Sequence, residues 1–422
     1  MGSRREFLRV SAAAAAVSRS VLGANDRVQM GIIGTGTRGN QDYSSFVHNT
    51  DVEFVAACDV AKSRLDQFAI KVGGKIATYG DYRKLLDNKD IQAVLVSTPD
   101  HWHSPIMIAA CEAGKDVYVE KPVSNAIEPA QRMIEAARKY NRVVQVGLQQ
   151  RSWQHFQDCV KIMRDGTLGT VGQCVMTYRG GGWGPTTPPP EKPVPPPADL
   201  DWEMFQGPAP RHDYVPSRQS NWRNYFDYGG GTVTDWGVHL LDVMLWYMDA
   251  DHKTPQVTAG VGQYIGQIPD PERTPETFSI VWRFDNWVAT FTNAVPPRTK
   301  MEPDSDLYGN YFFGTRGMLL VSRYGYEIRP IASQRAQQGA TLAPVEYKNA
   351  MDPKGMADNP NSPFGSATVR HARNFLDCVK SRQRPAADIE IGFNSTLPAL
   401  LADLSIRQGK TMLWDGKVAR PA

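Results

Sequence analysis

The feature that most constrains the fold lies near the start of the chain. The apolar run VQMGIIG, from Val28, leads directly into Gly34-Thr35-Gly36-Thr37-Arg38-Gly39, a G-x-G-x-x-G. Alone, this spacing also describes an ordinary strand-to-helix turn. Here a second apolar strand follows and ends at Asp59, 20 residues after Gly39, which is the arrangement of a dinucleotide-binding βαβ unit. The glycines then let the backbone approach a pyrophosphate, which rests on the N-terminus of the helix that holds Thr37 and Arg38. The Asp59 carboxylate would accept hydrogen bonds from the adenosine ribose and repel a 2′-phosphate. NAD is therefore expected in preference to NADP, although Lys62 and Arg64 lie close by.

The next hundred residues keep the same texture. VEFVAACD, QAVLVSTP, DVYVEKP and VVQVGL alternate with helical segments such as AKSRLDQFAIKV and SPIMIAACEAG. Continuous apolar strands separated by helices imply a parallel sheet covered on both faces. The chain reads as α/β, with an N-terminal Rossmann dinucleotide-binding domain over 25–150. Beyond it, PTTPPPEKPVPPP marks a polyproline-like surface loop at 185–197. The strands QVTAGVGQY, FSIVWRFD, WVATFTNAV and YFFGTRGMLLVS then follow one another. They imply a C-terminal α+β domain, 151–422, with an open and largely antiparallel sheet. A homo-oligomer through that sheet is expected.

Charge is concentrated at the N-terminus. Residues 1–24 hold Arg4, Arg5, Arg9 and Arg19 against Glu6, and setting them aside takes 47 basic and 44 acidic residues to 43 of each. The neutral body gives no electrostatic reason to expect nucleic acid or an anionic membrane as partner. The leader itself, with Ser3-Arg4-Arg5-Glu6-Phe7-Leu8 before an alanine run and small residues near Gly23 and Ala24, has the order of a twin-arginine export signal. It predicts a signal peptide over 1–24, passage through the twin-arginine translocase and a periplasmic mature protein without a membrane segment. Such a protein would travel folded with its cofactor bound. The five cysteines include no C-x-x-C pair, and Cys58 and Cys111 fall in apolar strand and helix patterns, so buried free thiols are expected.

The stretch TDWGVHLLDV sets a separate question. It spaces Asp235, His239 and Asp242 at i, i+4 and i+7 within an otherwise apolar helix, which puts three polar groups on one face. A metal site, a structural polar cluster and an acid/base pair all fit that spacing. With no H-e-x-x-H-type pair and no cysteine cluster in the chain, no metal is expected.

Three further segments complete a family pattern. The fourth strand ends in Ser97-Thr98-Pro99 and runs into DHWHSP, and the fifth ends in Glu120-Lys121-Pro122. With the G-x-G-x-x-G and the Asp-x-x-x-His of Asp235 and His239, the chain resembles the glucose-fructose oxidoreductase and inositol dehydrogenase family, written Gfo/Idh/MocA, over nearly its whole mature length. The resemblance implies that Lys121 sits beside the nicotinamide and the reacting hydroxyl, with Lys121-Pro122 commonly cis. It implies that Thr98, Pro99, His103 and Glu120 contact the cofactor, and that Asp235, His239 and Asp242 form the catalytic helix. Gln149 and Arg151 fall where such enzymes line the pocket. Asp100 stands where the family usually has Asn. A second Glu-Lys-Pro, at 191–193, lies in the proline tract with no strand before it, so nothing aims Lys192 at a cofactor.

On that frame, His239 is the expected base for the hydroxyl proton, Asp235 its orienting carboxylate and Lys121 the positive charge against a developing alkoxide. Asp242, Arg151 and Tyr178 are the expected substrate contacts. Trp153, Trp183, Trp202 and Trp222, with Arg179, Asn221 and Arg223 nearby, offer aromatic faces beside hydrogen-bonding groups, which suits a sugar ring. The leading expectation is an exported NAD-dependent oxidoreductase for a sugar or glycoside hydroxyl. The alternatives are a glycosidase or lyase that oxidises its substrate transiently, and a non-catalytic nucleotide sensor on the same fold.

Overall fold

The computed structural model describes residues 27–178, 191–265, 271–293, 308–330, 344–348 and 363–422. The leader (1–24), Arg179, Trp183 and the first part of the proline tract lie outside them.

The first unit is a six-stranded sheet in the order β3-β2-β1-β4-β5-β6, and each neighbouring pair is parallel. Its strands are β1 (Val28–Ile33), β2 (Val52–Cys58), β3 (Ala77–Tyr79), β4 (Ala93–Val96), β5 (Asp116–Val119) and β6 (Val144–Val146). Between them run α1 (Thr37–Phe46), α2 (Lys62–Lys71), α3 (Tyr82–Leu86), α4 (His103–Glu112) and α5 (Ile127–Lys139). β4 and β5 are buried at every position, as strands covered on both faces must be. The register aligns Ile33 with both Cys58 and Val96, and Val96 with Val119. Gly34, Asp59, Ser97 and Glu120, the residues next in sequence, therefore emerge together at the carboxyl edge, where open α/β sheets bind ligands.

The second unit follows α6 (Gln154–Arg164). Its ten-stranded sheet has the order β14-β13-β12-β11-β7-β10-β9-β8-β15-β16, antiparallel at every junction except β10 with β7. The strands are β7 (Val171–Thr177), β8 (Val257–Gln263), β9 (Thr277–Arg283), β10 (Val288–Thr292), β11 (Gly309–Gly314), β12 (Gly317–Ser322), β13 (Gly325–Pro330), β14 (Val345–Lys348), β15 (Met412–Trp414) and β16 (Ala419–Pro421). β9 alternates buried Phe278, Ile280 and Trp282 with more exposed neighbours, the period-2 pattern of a sheet with one covered face. Short helices α7 (Trp202–Gln206), α8 (Pro216–Ser220) and α9 (Gly231–Asp235) precede the apolar α10 (Gly237–Tyr247), and α11 (Pro363–Ser381) and α12 (Ile389–Gln408) follow the sheet. The described part of the proline tract, 191–197, has no regular structure and is largely exposed.

The chain end crosses back to the first unit. Ala372, Phe375 and Leu376 of α11 share a core with Val28, Met30, Phe46 and Tyr118, and Arg373 and Lys380 both pair with Asp51 at 2.5 Å. All five cysteines are free and buried.

Candidate active site

The glycine loop divides its labour by sterics. Gly34 has φ +92°, and a Cβ there would stand 2.6 Å from the Ser97 carbonyl oxygen; one on Gly39 would meet the Gly34 oxygen at 2.0 Å. Those two positions close the turn and pack α1 on the sheet. Gly36 differs, because a Cβ there would find only the Arg64 guanidinium, at 3.7 Å. It caps α1 and opens on a cavity of about 1400 Å³. That volume exceeds the roughly 300–1,000 Å³ of a pocket for one small ligand, so a dinucleotide and a substrate fit together. The open middle glycine at a helix N-terminus fits a pyrophosphate.

Most of the expected cofactor residues line this cavity. Thr37, Arg38, Asp59, Thr98, Pro99, His103, Glu120 and Lys121 all line it; Gly39 does not. Four of them are already engaged. Asp59 Oδ2 accepts from the Thr35 amide (2.8 Å) and hydroxyl (3.0 Å), while Oδ1 accepts from the Ala61 amide (2.9 Å). The carboxylate thus braces the glycine loop, with only its remaining lone pairs for a ribose. Arg38 turns inward to Asp42 (2.6 Å) and Glu120 (3.0 Å). Asp42 also accepts from the Ser97 hydroxyl at 3.0 Å, and its pKa is pushed up to about 8, chiefly by burial, with the Glu120 charge adding to the rise. Both ring nitrogens of buried His103 face carbonyl oxygens, of Pro122 at 2.6 Å and Thr98 at 2.9 Å, tying the strand-four loop to the cis Lys121-Pro122 peptide.

The inner end of the cavity holds Lys121, Asp235 and His239. Lys121 Nζ donates to Asp235 Oδ1 at 2.7 Å and to the Asp235 carbonyl at 2.8 Å. Arg223 Nε approaches the same Oδ1 at 3.3 Å. Burial opposes ionisation of Asp235, yet Lys121 and Arg223 hold its carboxyl below the usual range. His239 is buried, and its pKa falls well below 6.5, first through burial and then through the charges of Lys121, Arg323 and Arg38. The imidazole is therefore neutral at pH 7. Its Nδ1 is sealed from solvent with no hydrogen-bond partner among the described residues, which leaves Nε2 as the nitrogen that meets the cavity.

This corrects the expected roles within TDWGVHLLDV. Asp235 shares no hydrogen bond with His239 among the described residues; α9 ends at Asp235, α10 begins at Gly237, and the Asp235 carboxylate accepts from Lys121 instead. Asp242 and Arg151, expected as substrate contacts, are placed outside the lining of this cavity. They pair with each other at 2.8 Å, Arg151 also holds Asp251 at 2.6 Å, and Ser395 donates to Asp242 at 2.9 Å. Burial is the chief cause that raises Asp242 to about 6, and neither residue lines the cavity. Tyr178 also stays outside the lining and stacks on Trp236, with ring centroids 4.2 Å apart. Among the tryptophans, Trp222 lines the cavity, whereas Trp153 and Trp202 are core residues.

Among the lining residues without an assigned role in the sequence are Trp236, Asp100 and Arg323. Trp236, inside the ten-residue stretch itself, forms part of the wall. Asp100 is buried beside Lys121 and Arg223, and burial keeps its carboxyl well above the usual range against their pull. Arg323 reaches the wall from the two-residue turn between β12 and β13, with its guanidinium 5.0 Å from the Trp236 ring centroid and 5.1 Å from that of Tyr308. Its Nε donates to Gln150 at 3.2 Å. The second Glu-Lys-Pro plays no part: Glu191 accepts from the Ser217 amide at 3.0 Å and Lys192 is exposed.

Known proteins carry the same two units. Residues 28–148 match a family described as oxidoreductase family, NAD-binding Rossmann fold, and 157–267 match its C-terminal alpha/beta domain, together more than half of the chain. Inositol 2-dehydrogenase of Salmonella typhimurium is 33% identical over 149 residues, which are 34% of this chain and 43% of that enzyme. Glycosyl hydrolase family 109 protein 1 of a Shewanella species is 33% identical over 135 residues, 29% of each chain. The matches thus span less than half of these relatives. An oxidoreductase from Agrobacterium radiobacter, solved with NAD+, L-tartaric acid and magnesium, superposes with a TM-score of 0.67 at 13% identity, over 92% of this chain and 98% of that one. Both halves match one family, on a fold with a dinucleotide-sized cleft at its carboxyl edge, and the chain therefore belongs to the Gfo/Idh/MocA family of NAD-binding oxidoreductases.

Proposed function

We propose that this protein oxidises or reduces a hydroxyl-bearing carbon of a carbohydrate with NAD as the hydride partner. The observation that carries the reading is a neutral imidazole and a lysine–carboxylate pair lining the same cavity as the glycine loop. NAD, when bound, takes the hydride released as the alcohol carbon becomes a carbonyl carbon. Nε2 of His239 accepts the hydroxyl proton, and Lys121 places its charge beside the oxygen as it becomes an alkoxide. Asp235 holds the lysine in position, and Trp222 and Trp236 supply faces for a sugar ring. Incubating purified protein with a panel of sugars and glycosides, while following nicotinamide absorbance and product mass, tests the reading. A panel without any product would sink it.

A second reading has one observation behind it, the similarity to glycosyl hydrolase family 109 proteins. If glycosides are cleaved through transient oxidation, the same panel will release an aglycone with no net NADH.

Asp59 leads to a prediction on cofactor choice. Asp59→Ser should relax a preference for NAD over NADP by removing a negative charge from the adenosine end. Because the carboxylate also braces Thr35, affinity for NAD should fall as well. Titration of both nucleotides checks this, and an unchanged ratio would refute the assignment.

Two proposals concern the whole protein. The order Ser3 to Leu8 supports export by the twin-arginine route, and Arg4→Lys with Arg5→Lys should silence a reporter fused to residues 1–30; persistent signal would exclude that route. Val261, Val281, Val288 and Phe313 are exposed on the open sheet, which supports a second copy of the chain docking there. Light scattering should then give a dimer or larger assembly that Val281→Glu weakens, and a monomeric native protein would rule it out.

A further inference from the structure

The turn after β2 makes contacts that a nucleotide-binding fold does not itself require. Asp59 marks the adenosine end of the cavity, since an acid at this place in the fold meets the ribose. The residues after it are taken up by the second unit. Ala61 forms an antiparallel bridge with Leu200, flanked by hydrogen bonds from the Lys62 amide to the Asp199 carbonyl at 2.8 Å and from the Asp201 amide to the Val60 carbonyl at 3.0 Å. The Ala61 amide is also one of those that brace Asp59, at 2.9 Å. Asp199 Oδ2 accepts from the Ser63 amide at 3.3 Å, serving the first turn of α2, where Ala61 at the cap position has no side-chain acceptor to offer. The short helix α7 follows at once and is held by the strand-four loop. Its Met204 and Phe205 carbonyls accept from Trp102 Nε1 at 3.0 and 2.9 Å, and a Cβ on Gly207 would stand 2.0 Å from the Trp102 ring. Leu200, Trp202 and Phe205 share a small apolar core with Ala61. Leu200, Met204 and Phe205 line the cavity together with Asp59, Ala61 and Arg64, so both units build its wall at the Asp59 end.

We propose that residues 199–206 form a clasp that completes the adenosine subsite, and that NAD enters and leaves only when the clasp parts from the turn between β2 and α2. This rests on the part of the oxidoreductase reading that concerns NAD and leaves the substrate open. A dinucleotide domain alone receives its ligand in an open crevice beyond the strands. Here Leu200, Met204 and Phe205 give the purine an apolar wall from the other unit, while the polar groups of Asp199 and the Asp201 amide are spent on the contact between units. Release of NAD then requires two ladder hydrogen bonds to break and Leu200 to be uncovered, and the clasp acts chiefly on the dissociation rate.

The test uses purified full-length protein loaded with isotope-labelled NAD and chased with excess unlabelled NAD, the retained label being read by mass spectrometry of denatured protein. Lys62→Pro removes the amide that donates to Asp199 and disturbs little else. Position 62 opens α2, where proline is tolerated, and Ala61 before it is already extended at φ −102° and ψ 105°. Release should quicken by about fivefold to tenfold, the weight of one hydrogen bond. Lys62→Ala keeps the amide and should release NAD at the native rate. Leu200→Ala should quicken release by about thirtyfold or more, as for a large-to-small change in a core. A reversible lock supplies the opposite result. Ala61 and Leu200 face each other as a closely spaced, non-hydrogen-bonded pair, so Ala61→Cys with Leu200→Cys is within reach of a disulfide, and oxidation should slow release by about tenfold or more relative to the same protein reduced with dithiothreitol. Native release rates in both Lys62→Pro and Leu200→Ala, equal quickening by Lys62→Pro and Lys62→Ala, or release indifferent to the redox state of the cysteine pair overturns the proposal. The two readings fail separately: sugars oxidised by a protein whose variants release NAD at the native rate would end this proposal alone, and NAD held by the clasp without turnover of any sugar would end the oxidoreductase reading alone.

Discussion

Replacing His239 with alanine is expected to lower turnover by about two to four orders of magnitude, the scale of general base catalysis, while NAD remains bound. The imidazole stands at the inner end of the cavity, buried and neutral, with Nε2 toward the substrate space. The glycine loop and Asp59 belong to the opposite end and owe nothing to it. Because the folded protein holds the His239 pKa well below 6.5, the base stays unprotonated at neutral pH. The acid limb of kcat/KM that belongs to it should therefore lie below pH 6.5 and vanish in the alanine variant. Steady-state rates across pH, with cofactor content measured by mass spectrometry of denatured protein, check both parts. Near-normal turnover without His239 would move the chemistry elsewhere.

Lys121→Ala carries the second large effect, a loss of about two to three orders of magnitude in turnover, comparable to removing one preorganised donor from a developing oxyanion. The same change leaves the buried Asp235 carboxylate with Arg223 as its remaining partner. Asp235→Asn should also cost activity, by releasing the ammonium it fixes at 2.7 Å. The structure decides which pairs are coupled. The double variant at Lys121 and Asp235 should be little worse than Lys121→Ala alone, because the two act as a unit. Asp235→Asn and His239→Ala should combine more nearly additively, since no hydrogen bond joins them among the described residues. Lys192→Ala provides the control, with kinetics within about twofold of the native protein, as for most surface changes. Equal losses at Lys121 and Lys192 would show that Glu-Lys-Pro has no positional meaning here.

The parts of this architecture that were legible in the sequence were those written in short-range patterns. The strand, the three glycines and the acid after the second strand sit within 32 residues of one another, and each is imposed by local sterics that a single segment reveals. The alternation of apolar strands and helices announced the first sheet for the same reason. TDWGVHLLDV misled because its spacing was read on one continuous helix. Asp235 goes to Lys121, 114 residues earlier in the chain, and Asp242 to an arginine 91 residues earlier, long-range partners that no spacing within the segment reveals. Arg323 left no trace at all. A hairpin tip has no periodicity and no family pattern, and only the assembled sheet carries it to Trp236.

The return of α11 to the first unit has a consequence for the order of events during synthesis. Phe375 lies against the rings of Phe46 and Tyr118, at 6.0 and 5.9 Å between centroids, and is itself fully buried. A nascent chain that has released only its Rossmann strands still lacks this face, and Phe46 and Tyr118 stay uncovered until the ribosome has passed Ser381. The nucleotide half, first to be made, is thus among the last to be sealed. Nearly the whole polypeptide must exist before that apolar face is closed.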